Sequence, residues 1–112
     1  MDLQLQKITR TADHPPTLRF SIEALYGWEG RTCRDLIQIT YHPIKREAFL
    51  TVKIMNPGAG IIASRIIEVI TAAGCFDSSI GSPPLKILET LADKLSLHYD
   101  RDLAEAELSG II

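Results

Sequence analysis

The chain has 112 residues, 46% apolar and 23% charged, with a formal net charge of −2. That much apolar material supplies one core for a single domain over residues 1–112 and excludes a disordered chain. The longest apolar runs span a few residues against the ~20 a bilayer crossing needs, so a membrane span is excluded, and no signal segment is legible at the N-terminus.

Charge is unevenly placed. Residues 1–65 carry nine Lys/Arg against six Asp/Glu, a balance of +3, and residues 66–112 carry three against eight, a balance of −5. A +3 excess spread over so long a stretch is a weak footprint for a nucleic-acid binder, which concentrates cations to neutralise phosphates. The two cysteines, Cys33 and Cys75, make no CxxC spacing, which points to free thiols in a reducing, cytoplasmic compartment.

In chain order, Leu3 to Thr9 starts with alternation at Leu3 and Leu5 and slips phase at Ile8, as an edge strand would, and His14-Pro15-Pro16 links it onward. Thr17 to Tyr26 places Leu18, Phe20, Ile22, Ala24 and Tyr26 on one face and Arg19, Ser21 and Glu23 on the other, the period of a half-buried strand. Asp35 to Tyr41 repeats it with Ile37, Ile39 and Tyr41, and Ala48 to Met55 does so again with Ala48, Leu50, Val52 and Ile54 against Phe49, Thr51, Lys53 and Met55. Gly27-Trp28-Glu29-Gly30 and His42-Pro43-Ile44-Lys45-Arg46 contain turn formers and are short enough to close hairpins.

At Asn56-Pro57-Gly58-Ala59-Gly60 the apolar period changes from two to three and four. Ile62, Ile66, Val69, Ile70 and Ala73 follow helical spacing, Ile61 and Ile67 widen the stripe to most of the circumference, and Gly74 ends the helix. Ser82-Pro83-Pro84 starts a second helix whose stripe is Ile87, Leu88, Leu91, Ala92 and Leu95, with Lys86, Glu89, Thr90 and Asp93 facing water. Asp100 to Ser109, with Asp100 as N-cap and Gly110 as stop, reads as a third helix or a continuation of the second. The expectation is an α+β fold: an antiparallel meander of three to four strands followed by two or three helices on one face, a two-layer sandwich.

Few residues carry chemistry. Gly58-Ala59-Gly60-Ile61-Ile62-Ala63 matches G-x-G-x-x-A between a strand and a helix, with Asp77 downstream where a ribose-binding acid is expected. Against a dinucleotide site stand the Asn56-Pro57 insertion, the antiparallel strands and the small domain, which leave at most an anion at the helix start formed by Gly58, Ala59, Gly60 and Ile61. His14, His42 and His98 have no His or Cys partner at metal-ligand spacing, so no metal site is expected, and no cofactor pattern is legible. A nucleophilic pair such as Cys33 with His42 can be assembled only by the fold, and no catalytic residue is nominated.

Trp28 lies in a hairpin connection flanked by Tyr26, Arg31 and Arg34, residue types that often carry interface energy. Phe49 joins Arg19, Glu23, Gln38, Thr40, Thr51 and Lys53 on the sheet face turned from the helices. One aromatic is too few for a nucleic-acid stacking platform. The expectation is a non-catalytic protein-binding module, an adaptor, inhibitor or immunity-type protein, using Tyr26, Trp28, Arg31, Arg34 and Phe49, with sheet-to-sheet homodimerisation on the same surface. The alternative is a small-ligand or nucleotide-binding protein, an enzyme included, with an anion at Gly58 to Ile61.

Overall fold

A computed structural model of the chain describes residues 1–52, 56–77 and 82–108. The elements are β1 (Asp2–Arg10), β2 (Leu18–Trp28), β3 (Arg31–His42), β4 (Glu47–Val52), α1 (Ala59–Ala72), α2 (Pro83–Leu95), β5 (Leu97–His98) and α3 (Arg101–Leu108). The fold is α+β, as the change of period implies. The sheet departs from the expected meander: it has five strands in the order β4-β3-β2-β1-β5 and is mixed, because β5 pairs parallel with β1 through Leu3↔Leu97 and Gln4↔His98. β1 is therefore flanked on both sides at its start rather than being a free edge.

Alternation decides which sheet face is buried. Leu18, Phe20, Ile22, Ala24 and Tyr26 of β2 lie opposite Tyr41, Ile39, Ile37, Asp35 and Cys33 of β3, and all ten are buried. In β1, Leu5 faces Ile22 and Lys7 faces Ser21, so Gln6 is an extra residue. This bulge accounts for the phase slip in the sequence and returns Ile8 to the inner face opposite Phe20. The same cluster takes in Ile62, Ile66, Val69 and Ile70 of α1, Ile87, Leu88, Leu91 and Leu95 of α2, and Ala104 and Leu108 of α3.

The helix ends follow local chemistry. α1 stops at Ala72, and Gly74 adopts φ +66°, with Gly74 N–H donating to the Thr71 carbonyl and Cys75 N–H to that of Ile70. Pro83 opens α2, where a missing N–H costs no helical bond. Asp100 Oδ1 accepts from Leu103 N–H at 3.1 Å and caps α3. The expected stop at Gly110, and Lys53, Ile54 and Met55, lie outside the described residues.

Two expectations about the helices are corrected. Thr90 is buried, not solvated, because its hydroxyl lies 3.6 Å from the buried Cys75 Sγ. α1 is not buried around most of its circumference: Ile61 is 59% exposed and Ile67 38% exposed, since only one side of the helix meets the sheet.

Candidate functional site

The far end of the β2–β3 hairpin is closed by Glu29 and Gly30 alone, at φ +49° and +77°, and Trp28 pairs with Arg31 as the last rung. Both turn residues take positive φ, the signature of a two-residue hairpin turn that matches strand twist. Trp28 is thus a strand residue, not a loop residue. Even positions of β2 face inward, so its ring lies on the helix side, half-buried against the core.

Beneath it lies a polar knot. Asp35 is fully buried, and its carboxylate accepts from the Tyr26 hydroxyl at 2.6 Å and from Asn56 Nδ2 at 2.5 Å, one donor for each oxygen. Asn56 Nδ2 also donates to the Arg34 carbonyl at 2.9 Å. No cation among the described residues forms an ion pair with Asp35. Two neutral donors therefore hold its charge, and losing either leaves a buried lone pair. The Tyr26 phenol is pushed up to about 12, first by burial, then by its hydrogen bond to Asp35 and by the charge of Asp35. It remains a protonated donor at ordinary pH.

The knot fixes the start of α1. A Cβ at Gly58 would stand 2.5 Å from Tyr26 Cε2 and 2.9 Å from Trp28 Cε3, so only glycine lets the helix start approach these rings. At φ −85° the requirement is space, not backbone angle. Ala59 is buried too, while Gly60 faces open space and Ile61 is exposed. The surface beside Gly60 is lined by Pro57, Ile61, Ser64, Arg65 and Glu68, and its one cation, Arg65, sits 3.6 Å from Glu68. Gly58 to Ile61 are thus divided between a packing role and an open surface.

The five residues read as a protein-binding set are also divided. Tyr26 is buried in the knot. Trp28 and Arg31 border a cleft of about 330 Å³ with Cys33, Asn56 and Pro57. Arg34 lies on the outer face, 3.7 Å from Glu23, and Phe49 lies there too, opposite Thr40 on β3. The outer face is an ordered grid, with Arg19, Thr40 and Phe49 in one row and Ser21, Gln38 and Thr51 in the next. Phe49 is 53% exposed, and the His42 ring meets it edge-on at 5.6 Å. Half-buried Leu25 and Leu36 add apolar surface toward the other end of the face.

Cys33 and His42 occupy opposite ends and opposite faces of β3, so the fold does not assemble them into a nucleophilic pair. His14 and His42 border one cleft with Thr17, Pro43 and Lys45, but the described residues hold no group of three or more His, Cys, Asp or Glu able to bind a metal ion. No described helix is long and apolar enough to cross a membrane. Asp35 and Asn56 were not among the residues the sequence singled out. Asp35 alone breaks an apolar inner-face series, and that was their one available signal.

Comparison with protein-family models, with curated proteins and with solved structures found no match.

Proposed function

We propose that this chain is a non-catalytic protein-binding module of the adaptor, inhibitor or immunity type, acting in the cytoplasm through the outer face of its sheet. The observation that carries the reading is Phe49: a large aromatic, 53% exposed, on a face whose described neighbours are mostly polar. Aromatic anchors with arginine neighbours supply much of the energy of protein interfaces. Arg19 shares the row of Phe49 through Thr40, and Leu36 and Leu25 continue the surface toward Arg34. Trp28 and Arg31, at the hairpin end, lie on the opposite, helix-facing side and are not part of this surface.

The second support is chemical. The buried carboxylate of Asp35 is committed to Tyr26 and Asn56, and among the described residues no histidine lines the cleft that holds Cys33. The knot stiffens the hairpin and the helix start, which reduces the ordering cost of binding on a rigid sheet.

The test is affinity purification of the tagged protein from its own cells, wild type beside Phe49→Ser and Arg19→Glu, followed by titration of the purified partner. Wild type should retain a stoichiometric protein that Phe49→Ser binds at least about tenfold more weakly. A partner bound equally by both variants contradicts the reading.

A further inference from the structure

We infer that the exposed side of α1 is a self-complementary surface on which a second copy of this chain docks, antiparallel, about a two-fold axis between Ile66 and Ile67. α1 is unusually apolar for a helix covered on one side. In AGIIASRIIEVITA the only charged residues are Arg65 and Glu68, and Ile61 stands 59% exposed. A helix apolar around its whole circumference is ordinarily buried all round, and the sheet and α2 together cover only the side carrying Ile62, Ile66, Val69 and Ile70.

The exposed side has an order of its own. Ile61, Arg65, Glu68 and Ala72 are spaced four, three and four apart, the seam spacing of packed helices, and all four are exposed. The positions are symmetric about the midpoint of residues 66 and 67. An antiparallel copy therefore places Ile61 against Ala72 of the second copy, large against small, and Arg65 against Glu68 of the second copy, cation against anion, each twice. Arg65 and Glu68 lie 3.6 Å apart within one chain, with side chains 57% and 69% exposed, so each keeps room for a second partner. Antiparallel helices also set opposite dipole ends side by side.

Fourteen residues of helix make a seam of roughly 20 Å, less than a standard interface, so the dimer is reversible, with a dissociation constant on the order of micromolar or weaker. α1 covers the inner face of the sheet, so the outer faces of both copies stay free and point away from the axis. Two linked copies could then engage a partner bivalently.

Sedimentation velocity over a micromolar to millimolar series tests this on the full chain. Wild type should pass from monomer to dimer, and Ile61→Glu should weaken the dimer at least about tenfold. Arg65→Glu should weaken it as well, and Arg65→Glu with Glu68→Arg should recover it, because the pairing across the axis is restored with signs exchanged. Circular dichroism of each variant confirms that the monomer is folded, as expected for exposed positions. Phe49→Ser should leave the dimer intact, which separates this surface from the sheet face. A chain monomeric throughout the series, a dimer indifferent to Ile61→Glu, or one abolished by Phe49→Ser would overturn the inference.

Discussion

The Tyr26 hydroxyl donates to Asp35 Oδ2 at 2.6 Å on the inner face of the β2–β3 pair, and both groups are buried. Removing that donor with Tyr26→Phe leaves one oxygen of a buried carboxylate without a partner. The variant should lose about 3 kcal/mol of stability in urea unfolding at pH 7. Its pH dependence should change as well. The unfolded chain ionises this phenol near 10 and the folded chain near 12, so the contribution is complete below pH 10 and declines as pH rises toward 12. Subtracting the Tyr26→Phe profile from wild type should isolate that decline, and parallel profiles would show that Tyr26 titrates normally.

Asn56→Asp replaces a donor to Asp35 Oδ1 by a second carboxylate in a bond of 2.5 Å. Two like charges at that distance cannot both ionise, so one carboxyl must keep a proton in the fold. This destabilises the variant at pH 7, where the unfolded chain releases that proton, and the loss should disappear below about pH 4, where the unfolded chain is protonated as well. Thermal unfolding at the two pH values reads this directly. An equal loss at both would indicate a steric rather than electrostatic effect.

Two glycines two residues apart should respond in opposite directions. Gly58→Ala drives a methyl against Tyr26 and Trp28, rings that the Asp35 bond and the core hold in place, and should cost about 1–3 kcal/mol. Gly60→Ala meets nothing within 4 Å and sits in the first turn of α1, so it should be neutral or stabilise by up to ~1 kcal/mol. Chemical denaturation of the pair checks both. A destabilised Gly60→Ala would contradict the open space beside Gly60.

How far the sequence reveals this arrangement varies with the range of the interaction that decides it. The alternation of Leu18 to Tyr26, the stop at Gly74 and the proline start of α2 are local, and each stands where its residues imply. In the sequence Gly27 and Gly30 bracket Trp28 like a four-residue turn, whereas the chain turns at Glu29 and Gly30. Glutamate at positive φ is not a residue that advertises a hairpin turn. β5 is two residues long, below the length at which alternation can be read, so its parallel pairing with β1 left no pattern. The knot joins residues 9 and 21 positions apart, and only the strand register and the return of the chain at Asn56 bring them together.

The proposed function rests on the outer face, and Phe49 is the residue on which it turns. The most direct test is native mass spectrometry of the protein purified gently from its own cells, wild type beside Phe49→Ser, with circular dichroism confirming an unchanged fold. Wild type should carry a stoichiometric protein partner that is absent from Phe49→Ser. A partner retained by both, or a small anion retained by wild type and lost on replacing Gly60 with a bulky residue, would contradict it.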